Sequence, residues 1–200
     1  AEPPTLIEVP QQNWVAHVES VLRPVTAGRF LVHGPHDRHR AEGHPFAIEI
    51  EAGGAFGTAH HETTRGCLLA IDRHAEASAR ALDLGTGSGA IALSLAAERW
   101  PHVEVWATDV SADALAVARA NLAGLGRRAA VVRLVEGDWY AALPDDLRGR
   151  VDVVISNPPY VAATDALPTE VADWEPTSAL VPGPTGLEDI EGIVGGGGGG

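Results

Sequence analysis

The chain has 200 residues, an apolar share of 45% and a net charge of −13, with arginine as its only strong base. That composition can bury one core of ordinary size, and no apolar run nears the ~18–20 residues of a membrane span. The acidic balance excludes broad attraction to nucleic acid, while a lone cysteine, Cys67, excludes an internal disulfide and fits a reducing cytosol.

Methionine is absent even at position 1, so the natural start is expected upstream of Ala1. Residues 1–52 form an N-terminal segment of mixed signals. Residues 14–22 fit a short amphipathic helix, and residues 29–32 and 46–50 fit short strands. Between the strands, residues 34–43 read as a polar loop rich in histidine and arginine. His33, His36 and His39 fall here at spacing three, which makes a metal cluster conceivable. No cysteine lies nearby, and Asp37 and Arg38 fit a solvated loop, so no metal is assigned. Residues 53–79 read as a glycine turn and a lead-in helix, capped by Thr58 or Thr63, with Leu68, Leu69 and Ile71 facing inward. His61-Glu62 begins like an H-E-x-x-H zinc motif, but Arg65 holds the place of the second histidine and the motif fails.

From residue 80 the pattern alternates regularly. Strands are expected over 81–84, 103–108, 130–135 and 151–156, and helices over 90–99 and 112–122. Apolar strands alternating with helices predict an α/β fold with a mainly parallel sheet covered on both faces. In such sheets a ligand sits beyond the carboxyl ends of the strands. Each strand here ends near a polar residue suited to that rim: Asp83, Asp109, Asp138 and Asn157.

The first of these ends reads A-L-D-L-G-T-G-S-G, so Gly85, Gly87 and Gly89 follow an apolar run and precede a helix. Glycines permit a sharp turn and let a ligand approach the main chain. Helix-start N–H groups then offer it partial positive charge. Asp109 lies twenty-four residues after Gly85, a spacing at which an acid can accept both ribose hydroxyls of a nucleoside. Its plainer role is capping the next helix, although Ser111 is better placed for that. Asp138 and Trp139 suit an adenine, through its exocyclic amine and its face; filling core is nearly as good a use for the tryptophan. The stretch Ser156-Asn157-Pro158-Pro159-Tyr160 is the most specific. Its prolines remove two backbone donors and hold the chain extended. The Asn157 side-chain oxygen and the Pro158 carbonyl can then accept both hydrogens of a planar NH₂ group and aim its lone pair at an electrophile.

In combination, L-D-L-G-T-G-S-G, A-T-D-V-S, G-D-W-Y and S-N-P-P-Y resemble the class I methyltransferases that use S-adenosyl-L-methionine. Residues 80–190, with the later E-P-T-S-A-L-V-P-G-P-T-G-L-E, are most similar to the N5-glutamine methyltransferases of bacterial peptide chain release factors. The resemblance implies a Rossmann-like fold and a cytoplasmic enzyme whose partner is the Gly-Gly-Gln loop of a release factor. It implies that Asp83, Gly85, Thr86, Gly87, Gly89, Asp109, Asp138, Trp139 and Asn157 bind the cofactor. It also implies that Asn157, Pro158, Pro159 and Tyr160 hold the substrate glutamine, with Asn157, Pro158 and Tyr160 catalytic. Residues 13–70 resemble ribosomal-protein methyltransferases instead, through G-R-F-L-V-H-G and A-F-G-T-A-H-H-E-T-T-R, so the chain reads as a hybrid.

The family's sheet has seven strands, whereas four are counted here before a poly-Gly tail at 191–200, a linker composition. The C-terminal strands are therefore expected to be missing, which leaves residues 151–156 as a bare apolar edge. Three alternatives to the release-factor reading stand beside it. These are ribosomal-protein methylation, N6 methylation of adenine in nucleic acid (which the acidic charge disfavours), and a non-catalytic fragment that binds the cofactor or only a protein.

Overall fold

The computed structural model describes residues 23–51, 62–75, 78–165 and 177–197. The helix expected at 14–22, the glycine turn before Glu62 and the Thr58 cap lie outside those residues. Strand β1 (Val25–Ala27) runs antiparallel to β2 (Phe30–His33), which lies parallel to β3 (Ala47–Glu49). Three residues of V-T-A carry no alternation, so β1 is an addition to the sequence reading. Gly28 closes the hairpin at φ +59°, and a Cβ there would strike the Asp72 carboxylate. Its neighbour Arg29 pairs with Asp72 and, at 2.7 Å, with Glu98, which fastens the hairpin to two helices.

The histidine-rich loop folds as a 3-10 turn, Pro35–Asp37, and one helical turn, Arg38–Ala41. His33 is buried with Nδ1 against the Gly34 carbonyl, and His36 faces Asp37. Among the described residues no three potential metal ligands gather. Helix α1 (Glu62–His74) follows and buries Thr64, Leu68 and Ile71, a stripe at helical spacing.

The larger sheet holds β4 (Arg80–Leu84), β5 (Glu104–Asp109), β6 (Val132–Glu136) and β7 (Val153–Ser156), all parallel in the order β6-β5-β4-β7. Helices α2 (Ala90–Arg99) and α3 (Ala112–Gly124) make the crossovers β4 to β5 and β5 to β6. Strands β6 and β7 begin two residues later than expected. A 3-10 turn, Gly126–Val131, takes up the start of the first, and its ladder opens with Val132 opposite Val105. At the start of the second, the Asp152 carboxylate accepts bonds from the Ala79 and Arg80 N–H groups at 2.7 and 2.8 Å.

Residues Ala90 to Ala97 of α2 are all buried, as a helix apolar on every side must be. One core therefore joins the two sheets, and Phe30, Ile48 and Leu68 share it with the buried residues of α2 and with Val105. Each such side chain, fully buried, contributes about 1.5–3 kcal/mol. Strand β7 is an edge of the described sheet, with Val154 38% exposed, as the sequence reading expects. The tail departs from that reading. Helix α4 (Glu188–Gly197) continues into the glycines, and the Tyr140 hydroxyl donates to the Ile193 carbonyl at 3.0 Å. Gly196 sits where a Cβ would meet the Tyr140 ring, so the lack of a side chain lets the helix close on that residue.

Candidate active site

After β4 the backbone turns through Gly85, Gly87 and Gly89 at φ +72°, +54° and +87°, the region glycine favours. The Gly85 and Thr86 N–H groups both donate to the Thr108 carbonyl, at 2.9 and 2.8 Å, which ties the turn to the end of β5. A Cβ on Gly85 would lie 3.1 Å from the Trp139 ring, so bare main chain and indole face each other. Gly89 is the N-cap of α2, and a Cβ there would strike Leu93 and Ala118. Its need for glycine comes from that φ and from helix packing, and it is not among the residues lining the cleft.

Asp83 also departs from its expected place at the rim. Its side chain is fully buried, and Oδ2 accepts bonds from the Thr86 hydroxyl at 2.7 Å and the Ala92 N–H at 2.9 Å. Oδ1 has no partner among the described residues. Burial pushes this carboxyl up to about 7 despite those two bonds, and the Asp109 charge adds to the shift. Asp83 thus holds the turn and the first turn of α2 from beneath. The same environment, burial first and Asp83 second, pushes the Cys67 thiol up to about 11.

Asp109 faces the cleft and organises it. Its Oδ2 accepts the Gly87 N–H at 2.8 Å, and its Oδ1 accepts the Ser111 N–H at 2.9 Å. The Gly87 N–H, and that of Ala92 among the helix-start groups expected to await a ligand, are therefore held by the protein's own carboxylates. Ser111 is the N-cap of α3, its hydroxyl accepting the Ala114 N–H at 3.2 Å, as its position in the sequence suggests. Trp139 adopts φ +38°, rare for a residue with a side chain, and it turns at the mouth beside exposed Asp138.

These elements enclose a cleft of about 810 Å³ at the carboxyl ends of the strands. Gly85, Thr86, Gly87, Asp109, Asp138, Trp139, Asn157, Pro158 and Pro159 all line it. Tyr160 does not; it is half exposed, and its N–H donates to the Leu180 carbonyl at 3.2 Å. Four carboxylates, those of Asp109, Asp113, Asp138 and Asp189, and no basic side chain are among the described lining residues. Burial first, and then the Asp138 charge, raises the Asp189 carboxyl from its ordinary value.

Thr64, Ser178, Ala179 and Asp189 are lining residues that the sequence reading missed. Thr64 had a signal, a hydroxyl in an otherwise aliphatic stripe. Ser178 and Ala179 arrive by tertiary contact, since the Tyr160 and Val161 N–H groups both donate to the Leu180 carbonyl, and Asp189 arrives on α4, which the Tyr140 hydroxyl bonds at Ile193. Asn121 was missed too. Its side chain bonds both the N–H and carbonyl of Glu51 and donates to the Ser88 carbonyl at 2.9 Å, joining β3, α3 and the glycine turn.

A parallel sheet with helical crossovers, a glycine turn after its central strand and a strand-end cleft define the Rossmann-like fold of class I S-adenosyl-L-methionine-dependent methyltransferases. The family model of ribosomal protein L11 methyltransferase (PrmA) matches residues 4–158, and the chain belongs to that family. A ribosomal protein L11 methyltransferase of Allorhizobium ampelinum is 50% identical over 115 residues, which are 56% of this chain and 39% of the relative. One from Mesorhizobium japonicum is 42% identical over 151 residues, 74% of this chain and 51% of the relative. The chain thus spans about half, or less, of the length of these relatives. The solved ribosomal protein L11 methylase of Lactobacillus delbrueckii subsp. bulgaricus shares the fold. It has a TM-score of 0.57 at 22% identity and covers 88% of this chain and 89% of that one. The family match runs on through the glycine turn and Asp109 to residue 158, so the likeness read from residues 13–70 extends through the parallel sheet.

Proposed function

We propose that this protein binds S-adenosyl-L-methionine in the strand-end cleft and moves its methyl group to a nitrogen of a protein. Ribosomal protein L11, for which the relatives are named, is the proposed substrate. The observation that carries the reading is the meeting of Gly85, Asp109 and the Asn157-Pro158 pair on one cleft. The wall suits the cofactor in two respects: a side chain at Gly85 would close the space against Trp139, and four carboxylates favour a cation. Gly85, Thr86 and Gly87 would hold it along the main chain, Asp109 would take the ribose hydroxyls, and Asp138 with Trp139 would take the adenine. When bound, the cofactor supplies an electrophilic methyl group on a sulfonium. Asn157 Oδ1 and the Pro158 carbonyl accept hydrogens of the incoming nitrogen and hold its lone pair toward the cleft. Pro158 and Pro159 have no N–H to compete for that role.

A second reading, methylation of the glutamine amide of a release factor, draws on Ser178 and Ala179. They belong to the E-P-T-S-A-L stretch, beyond the family match, and they line the cleft. Methyl-labelled cofactor offered with L11 and, separately, with a release factor distinguishes the two. Label in L11 alone is the expected result. Label in the release factor that vanishes when its Gly-Gly-Gln glutamine is replaced would favour the second reading. Label in neither, despite saturable binding of S-adenosylhomocysteine, would overturn the catalytic reading.

A further inference from the structure

We propose that Asn121 is a positioning residue for the glycine turn: it holds the Ser88 carbonyl from outside the cleft and so sets cofactor affinity without touching the cofactor. The inference rests on the cofactor reading given above. Helix α3 buries Leu115, Ala118 and Asn121, a stripe at spacing three. A leucine at the third place would serve packing alone, because a buried amide costs free energy unless its groups find partners. Asn121 is 7% exposed, and it is not among the residues lining the cleft.

Its amide finds three partners. Oδ1 accepts the Glu51 N–H at 2.8 Å, and Nδ2 donates to the Glu51 carbonyl at 3.1 Å and the Ser88 carbonyl at 2.9 Å. Turned over, the amide would lose all three bonds, so its orientation is fixed. Ser88 precedes the N-cap of α2. The helical donor four residues on, the Ala92 N–H, is held by Asp83, and Asn121 Nδ2 takes its place at the Ser88 carbonyl. Gly85, Gly87 and Gly89, all at positive φ, give the turn little stiffness of its own. Its shape comes from bonds: the Thr108 carbonyl holds Gly85 and Thr86, Asp109 holds Gly87, and Asn121 holds Ser88. Gly85, Thr86 and Gly87 line the cleft, so a shift of the Ser88 peptide carries into the wall proposed to hold the cofactor. Loss of Asn121 therefore raises KM for the cofactor and leaves kcat at saturating cofactor unchanged.

Asn121→Leu keeps the bulk and removes all three bonds. Calorimetric binding of S-adenosylhomocysteine should weaken roughly 10-fold, and KM for S-adenosyl-L-methionine should rise with it. The Gly87 and Gly89 amide signals of the ¹⁵N-labelled chain should move. Asn121→Asp keeps the shape and the acceptor, loses both donors, and should weaken binding likewise. Val103, buried just ahead of β5 at the other end of the sheet, supplies a comparison for lost stability: Val103→Ala should leave affinity and both signals in place. In the unaltered chain, the Asn121 side-chain NH₂ pair is the asparagine pair that survives in both Asn13→Ala and Asn157→Ala. It should shift when S-adenosylhomocysteine binds. Full affinity in both Asn121 variants, an equal loss in Val103→Ala, or an NH₂ pair unmoved by ligand would overturn the proposal. If the unaltered chain binds no S-adenosylhomocysteine, the cofactor reading fails, while the Gly87 and Gly89 signals in Asn121→Leu still decide whether Asn121 positions the turn.

Discussion

Replacing Asp83 by Asn should remove a pH dependence of stability that runs opposite to that of an ordinary aspartate. The carboxyl is fully buried, and its value rises from 3.8 to about 7. Between those limits the folded protein holds a proton that the unfolded chain has released. Stability is therefore undiminished below about pH 4 and declines as pH rises toward 7. Three pH units at ~1.4 kcal/mol each make a total on the order of 4 kcal/mol. The lowered carboxylates Glu49, Glu104, Asp152 and Glu188 titrate in both proteins and cancel in the comparison. Urea unfolding followed by tryptophan fluorescence at pH 5, 6, 7 and 8 measures the difference. Relative to Asp83→Asn, the unaltered chain should lose up to ~1.4 kcal/mol per pH unit up to pH 7 and level off above it. A difference that stays constant from pH 5 to 8 would refute the reasoning.

Asp109→Ala removes the acceptor for the Gly87 and Ser111 N–H groups together with the proposed ribose acceptor. S-adenosylhomocysteine should then bind at least ~10-fold more weakly by calorimetry, and equal affinity would contradict the assignment. Asn157→Ala should leave that affinity nearly intact and lower methyl transfer on the order of 10²–10³-fold; weakened binding with normal turnover would reverse the role given to it. Gly85→Ala puts a side chain at φ +72° and against Trp139. It should cost about 1–2 kcal/mol in a denaturant melt, and an unchanged midpoint would count against the tight turn.

Most of the parallel sheet is legible because short apolar strands alternate with longer apolar, alanine-rich helical runs bounded by turn residues. Helix α2 is found at the residues expected, 90–99. Strand β1 is not legible, since three residues cannot display a period, and the hairpin is revealed only by Gly28 against Asp72. The rim residues Asp109, Asp138 and Asn157 follow from strand ends alone. Asp83 precedes the last residue of its strand, and nothing in the sequence tells that its side chain is buried beneath the turn and does not line the cleft. The contribution of residues 177–189 is a long-range matter: the carbonyl of Leu180, not any local pattern, brings Ser178 and Ala179 to the wall. A glycine run reads as linker by composition, and the partner its helix meets, Tyr140, lies more than fifty residues away in sequence.

The meeting of a nucleoside and a nitrogen nucleophile at one rim is tested most directly by a crystal structure of the chain with S-adenosylhomocysteine. Ligand density along Gly85–Gly87, with the ribose on Asp109, the adenine beside Trp139 and the sulfur toward Asn157, is the expected result. A ligand bound away from the glycine turn, or one whose sulfur faces away from Asn157, would contradict it.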